Sequence, residues 1–264
     1  MSANLGTLVV VGGGNMGGAL VGGLVAGGWD PARITVVDLD EGKRGELAAR
    51  HGVATAVEPV TADGAVVAVK PGDAAAMCTR LGGLGVPRIL SIAAGLSAGT
   101  LQQAAGGGSR VVRAMPNTPA LVREGVSAIC GSASCDEDDL AWAESVLSAV
   151  GLVVRIPESQ MDAFTAVAGS GPAYVFLLAE ALVAAAVAEG LPVDTADAIV
   201  RGLLRGAGIL LADSPDSAAV LRERVTSPNG TTAAGLAVFE ERGLRAIIHE
   251  VVRAAAARSA EMGR

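Results

Sequence analysis

LVVVGGGNMGGAL, residues Leu8–Leu20, decides the fold. An apolar β-type run ends at Val11, passes directly into Gly12-x-Gly14-x-x-Gly17, and continues as the apolar opening of a helix. That strand–turn–helix order is what the dinucleotide fingerprint requires. Gly12 permits the tight turn, Gly14 a close approach of backbone to a pyrophosphate, and Gly17 close packing of helix on strand. The helix N-terminus then offers unpaired N–H groups and a partial positive charge to phosphate. Asp38 stands at the end of a second strand, Ile34–Asp38, about twenty residues further on, where this fold puts the group that meets the adenine ribose. A merely glycine-rich, low-complexity turn has no reason to keep that spacing.

With 264 residues there is material for one large or two modest domains. Hydrophobic residues make up 51% but aromatics 2%, so the core is built from Ala, Val, Leu and Ile with close helix contacts. A net charge of −7 without a basic stripe argues against nucleic acid as partner. Cys78, Cys130 and Cys135 fit neither a metal nor a disulfide framework, so no metal is expected and a reducing cytoplasm is the simplest setting. The N-terminus lacks a positive region, and Val9–Val25 is broken by seven glycines, which argues against a signal peptide. The longest apolar stretch, Pro172–Ala188, contains Glu180 and is followed by Glu189-Gly190. It is expected to be a buried helix rather than a membrane span.

Along the chain, strand-like runs at 65–69, 88–92, 110–114, 126–130 and 152–156 alternate with helices at 41–51, 73–81, 97–105 and 136–149. Apolar strands without alternation predict a parallel sheet covered on both faces. Ligands of such sheets bind beyond the strands' carboxyl ends, so Gly12–Gly17, Asp38, Val69–Pro71, Ala93–Gly95 and Met115–Asn117 should line one crevice. From Pro157 onward the pattern is helical: 159–168, 172–189, 194–212, 215–225, 231–242 and 244–262. Asp194, Asp197 and Ser214 are the expected N-terminal caps there. The expected fold class is therefore an α/β N-terminal Rossmann-like dinucleotide-binding domain (1–157) followed by an all-α C-terminal domain (158–264). The Ala184–Ala188 faces are too small to fill a core alone; they fit tight packing within the domain or a helix-exchanging dimer.

Chemistry-bearing residues are scarce: two lysines, Lys43 and Lys70, and two histidines, His51 and His249. The helical part has no lysine to take a hydroxyl proton, which favours hydride addition to an already protonated C=N over addition to a ketone. Lys70 lies in the crevice, in catalysis or in backbone contact with the cofactor. His51 at a helix end reads as complementing the dipole. Ser227-Pro228-Asn229-Gly230 opens a helix at Thr231-Thr232; free N–H groups there suit a carboxylate, and an ordinary N-cap suits the residues equally.

Together these residues resemble the Δ1-pyrroline-5-carboxylate reductase family over nearly the whole chain. The resemblance rests on VGGGNMG (11–17), AVKP (68–71), SIAAG (91–95), RAMPNTPALVREG (113–125), ESQMDAFTAVAGSGPAYVFLLAEAL (158–182) and TSPNGTT (226–232). It implies an NAD(P)H-dependent reductase acting on pyrroline-5-carboxylate, the last step of proline synthesis, with a helical dimerisation domain. It also implies helices interlocked between subunits, dimers assembled into decamers, and a substrate pocket drawing on both partners. By position, Val11, Gly12, Gly13, Gly14, Asn15 and Met16 would hold the pyrophosphate and Asp38 would face the adenosine ribose. Val69, Lys70 and Pro71, with Ala93, Ala94 and Gly95, would flank the nicotinamide. Glu158, Ser227, Gly230, Thr231 and Thr232 would form the substrate site, the Thr232 hydroxyl facing the ring nitrogen.

Three positions depart from the family pattern. Asp38 replaces a common Ser or Asn and predicts a preference for NADH, with Lys43 and Arg44 near enough to rescue NADPH. Asn229 replaces a turn glycine, and Asn tolerates positive φ. Arg224 replaces an often uncharged residue and either contacts a carboxylate or is solvated. The alternatives are a similar reductase of another imine or a β-hydroxy acid, and a non-catalytic nucleotide sensor.

Overall fold

In the computed structural model, which describes residues 6–263, the run Leu8–Val11 is strand β1 and all four of its residues are buried. Its side chains alternate between two cores: Leu8 and Val10 pack with Leu20, Val21, Leu24 and Trp142 on one face, Val9 and Val11 with Ala74, Leu81 and Leu101 on the other. Burial on both faces explains why the strand reads as a continuous apolar run.

The remaining strands among the described residues are β2 (Ile34–Val37), β3 (Ala54–Ala56), β4 (Gly64–Val67), β5 (Arg88–Ser91), β6 (Arg110–Met115), β7 (Gly125–Gly131) and β8 (Gly151–Arg155), in the sheet order β3-β2-β1-β4-β5-β6-β7-β8. Helices α1 (Asn15–Ala26), α2 (Glu41–His51), α3 (Pro71–Gly83), α4 (Ala98–Ala105) and α5 (Glu137–Leu147) connect them. Asp40, Ser97 and Asp136 cap α2, α4 and α5 with their side chains, and Gly52 ends α2 in the left-handed conformation.

Two features of the sheet differ from the sequence expectation. The short β3 has no apolar run to mark it. Strand β7 runs antiparallel to β6, because the connection 116–124 is too short for a crossover helix, which takes about a dozen residues or more.

Residues 158–170 are helical yet pack with the sheet, as does the chain from Ala255 on; Gly171–Ala254 form a separate compact unit. Short helical turns over Glu158–Gln160 and α6 (Met161–Phe164) lead into a π-helical turn, Thr165–Gly169. The interval 169–171 between the expected helices 159–168 and 172–189 is thus entered through a widened turn.

The second unit comprises α7 (Gly171–Ala188), α8 (Val193–Asp213), α9 (Ala218–Arg224), α10 (Thr231–Glu241) and the first half of α11 (Leu244–Met262). Its caps differ from those expected. Pro192 precedes α8, with Asp194 in the first turn but no side-chain cap, and Ser217 rather than Ser214 caps α9.

The expectation that 172–188 is buried is overturned within the single chain: α7 has no buried residue, and Phe176 and Leu177 are 66% and 65% exposed. Among the described residues of this unit, the buried hydrophobics are Ala196 and Val200 alone. By length and composition, Glu158–Ala188 is apolar enough to cross a membrane.

Asp139 is fully buried and lies 3.1 Å from Arg88 Nε, with Arg110 Nε at 2.8 Å from its other oxygen. It also accepts the Asp136 N–H, closing the cap of α5. Replacing Asp139 removes its charge-assisted hydrogen bonds and its part in the α5 cap, while the two guanidiniums left behind reach solvent. Asp139→Ala is therefore expected to cost about 3 kcal/mol in a denaturant titration. A loss under about 1 kcal/mol would show that the two arginines are satisfied by water.

Candidate active site at the carboxyl edge of the sheet

Gly12 has φ +107°, and a Cβ there would lie 2.4 Å from the Ala68 carbonyl oxygen. A Cβ on Gly17 would lie 1.9 Å from the Gly12 carbonyl oxygen, so helix and turn touch backbone to backbone. A Cβ on Gly14, by contrast, meets nothing within 4 Å. Gly14 is also the N-cap of α1, with no side chain bonded to the helix end. An uncapped helix N-terminus beside open space is a cradle suited to a pyrophosphate, so these residues fit a dinucleotide.

Asp38 follows β2. Its Oδ2 accepts the Gly13 N–H at 2.7 Å and its Oδ1 the Asp40 N–H at 2.9 Å. Burial pushes its pKa upward, but the Asp40 and Gly13 N–H groups, with Lys43 and Arg44, hold it below the ordinary carboxylate value. Asp38 is thus ionised at neutral pH, and the turn bonded to it loses that support as pH falls through the depressed pKa. Arg44 is engaged elsewhere, donating to the Asp38 and Leu39 carbonyls at 2.7 and 3.0 Å. Lys43 instead lines a cleft of about 450 Å³ together with Gly13, Gly14 and Asn15.

The expected dipole role of His51 is not supported: burial and Arg50 lower its pKa, leaving it neutral at pH 7, with its ring packed over Gly22.

The parallel strands β2, β1, β4 and β5 are neighbours. Asp38, Val11–Met16, Val69–Pro71 and Ala93–Gly95 therefore all emerge along one edge. Lys70 is the N-cap of α3, and its side chain is exposed and unbonded to the helix end. Strand β6 adds Met115, which lines a cavity of about 230 Å³ with Ala94, Gly95 and Thr165. Asn117 of the same segment is buried and structural, donating to the Ala168 carbonyl and accepting the Val126 N–H.

Glu158 Oε1 accepts the Ala98 N–H at 2.7 Å and pairs with Arg113 at 3.0 Å. It thus caps α4 from a distance. Sequence reasoning had singled out neither Arg113 nor Asp162, Arg258, Ser259 and Met262, which gather around this loop. The Arg113–Glu158 and Ser259–Asp162 bonds span 45 and 97 residues, and no periodicity marks contacts of that range.

In the helical unit Asn229 has φ +60°, as its turn requires. Gly230 is the N-cap of α10 and no side chain caps the helix. The first N–H of α10 to find a backbone acceptor is that of Ala234, on the Gly230 carbonyl at 3.1 Å. The N–H groups of Thr231, Thr232 and Ala233 have none among the described residues, and both threonines are exposed. The ordinary side-chain cap is therefore not what this turn forms. Arg224 pairs with Asp216, its Nη2 at 3.3 Å from Oδ1.

Comparison with known proteins agrees with this arrangement. Residues 158–262 match the family model described as pyrroline-5-carboxylate reductase dimerisation, and residues 7–95 match that described as NADP oxidoreductase, coenzyme F420-dependent. The pyrroline-5-carboxylate reductase of Synechocystis is 39% identical, covering 100% of both chains. That of Pseudomonas aeruginosa is 38% identical, covering 97% of this chain and 96% of its own. The solved structure of a pyrroline-5-carboxylate reductase from Coxiella burnetii superposes with a TM-score of 0.94 at 36% identity, over 99% of this chain and 100% of that one. The Plasmodium falciparum enzyme, solved with NADP bound, gives 0.83 at 27% identity over 98% of each.

Gly17→Ala is expected to force α1 off the turn and abolish NADH binding in calorimetry, while the melting profile keeps a cooperative transition. Retained binding would mean that the turn can yield to a methyl group.

Proposed function

The chain belongs to the pyrroline-5-carboxylate reductase family and is an NAD(P)H-dependent oxidoreductase of proline biosynthesis, and from that premise we propose how its own residues divide the work. The reduced nicotinamide, when bound, supplies the hydride that converts the C=N of 1-pyrroline-5-carboxylate into the C–N of L-proline. Val11–Met16 hold the pyrophosphate, and Val69–Pro71 with Ala93–Gly95 hold the nicotinamide end.

The free N–H groups opening α10 bind the substrate carboxylate, and the Thr232 hydroxyl bonds the ring nitrogen, with Ser227, Gly230 and Thr231 shaping the turn. The observation that carries this reading is the glycine N-cap of α10: a helix end left without a side-chain cap on an exposed turn. Glu158 serves the site through α4 and the Ala93–Gly95 loop. No side-chain acid or base is required, because the proton arrives with the iminium or from solvent. Arg224, engaged with Asp216, steadies the approach to the turn.

NADH is the preferred cofactor. Asp38 is anionic and suits a ribose 2′-hydroxyl, Arg44 is spent on carbonyl groups and Arg50 on Glu46, which leaves Lys43 and Arg123 on the cleft to attract a 2′-phosphate. A second copy of the chain covers the apolar faces of α7 and its neighbours. The working protein is a dimer, assembled further into a decamer, in the cytoplasm.

The reading is tested by nicotinamide absorbance after adding pyrroline-5-carboxylate, with NADH and NADPH in parallel. Rapid oxidation, faster with NADH, is expected; absence of oxidation with either cofactor by folded protein would refute the substrate. Thr232→Ala should lower kcat by about a hundredfold, with NADH affinity within about twofold; equal losses in both would remove Thr232 from the chemistry. Asp38→Ser should raise the NADPH/NADH ratio of kcat/KM by about tenfold or more, and an unchanged ratio would take Asp38 out of cofactor choice.

A further inference from the structure

The loop between β5 and α4 is secured at its ends. Ile92 N–H donates to the Val67 carbonyl at 3.1 Å, and Ala98 N–H donates to Glu158 at 2.7 Å. Between them Ala94 and Gly95 form a turn, and the N–H groups of these two residues find no acceptor among the described residues. The turn fixes the local shape, and where it sits depends on what packs against it.

What packs against it is the end of the last helix. Gly95 has φ +81°, and a Cβ there would lie 3.1 Å from the Met262 carbonyl oxygen. A Cβ on Gly263 would in turn lie 3.3 Å from the Gly95 carbonyl oxygen. The helix end is itself tied down by one long-range bond, Ser259 Oγ donating to Asp162 Oδ1 at 2.7 Å. Asp162 follows Glu158 by four residues, so one short segment anchors α4 through Glu158 and α11 through Asp162.

We propose that Asp162 and Ser259 are positioning residues for hydride transfer: their bond fixes the last turn of α11, which braces Ala94–Leu96 in the shape the nicotinamide end needs. The proposal rests on the reading that this loop flanks the nicotinamide. Neither side chain touches a reacting atom. A brace of this kind acts on the geometry of the bound pair more than on cofactor affinity, which the pyrophosphate turn dominates. Small misplacements of reacting groups are costly in rate.

The test uses the full-length protein with Ser259→Ala, Asp162→Ala and the double variant, plus Asp162→Asn, which keeps an oxygen to accept the hydroxyl. Hydrogen exchange of the peptide covering 92–98 is measured beside kcat and NADH affinity. Each single alanine variant is expected to lower kcat about tenfold, the worth of one hydrogen bond. Exchange at 92–98 should quicken, and NADH affinity should stay within about twofold. The double variant should be no worse than either single one, because both remove the same bond, and Asp162→Asn should recover most of the loss.

Unchanged exchange at 92–98 with unchanged kcat would overturn the proposal, as would losses that multiply in the double variant. Asp162→Ala tests the bond from its other end should Ser259→Ala fold poorly. If the unaltered protein fails to turn over the imine, the substrate reading falls, and the exchange rates still decide whether the brace exists.

Discussion

The contact between the Gly17 position and the Gly12 carbonyl is the constraint from which the sheet domain follows. At 1.9 Å from that oxygen no Cβ can exist, so α1 rests directly on the end of β1. That places Leu20, Val21 and Leu24 against Leu8 and Val10 and leaves the helix N-terminus aimed past the sheet edge. The same closeness sets Gly12 at φ +107°, a conformation glycine adopts without steric cost. Neighbouring strands pair in register with β1, so their own loops must leave at the same edge. The ligand crevice is thus a consequence of one backbone contact repeated through strand pairing.

Much of this was legible in the sequence because it is local. The turn, the caps Ser97 and Asp136, and the Gly52 stop each depend on a few consecutive residues. What escaped depends on distant ones. Strand β3 exists because β2 offers an open edge, not because Ala54–Ala56 demand it. The reversal of β7 follows from the length of its connection. The resemblance singles out Glu158, but its bonds to Ala98 and Arg113, which tie it to α4, are not legible in the sequence.

The helical unit shows a different limit. Hydrophobicity along Pro172–Ala188 says that the helix avoids water, and says nothing about which molecule excludes it. Within one chain α7 buries no residue at all, although α5, with far fewer apolar residues, buries five. A run apolar on every face has no periodicity to distinguish packing inside its own domain from packing against a partner. The match of 158–262 to a dimerisation region supplies what periodicity lacks.

The distribution of helix caps ties these strands of argument together. Helices α2, α4, α5 and α9 each bond their first turn with an Asp or Ser side chain, a device worth about 1 kcal/mol. Helices α1 and α10 forgo it, and each has glycine at the N-cap. Helices α3, α6 and α8 also lack a side-chain cap, but α3 opens on Pro71 and α8 follows Pro192, prolines that pre-set a first turn, and α6 is a single turn continuing from the preceding helical turn. At α1 and α10 the forgone stabilisation leaves backbone N–H groups unpaired, and these are the two helix ends proposed above to hold a pyrophosphate and a carboxylate. With two lysines and two histidines in the whole chain, few side chains can act as an acid or base near neutral pH. Backbone donors at uncapped helix ends bind anions without adding an acid or base, which suits a reaction whose substrate already carries its proton.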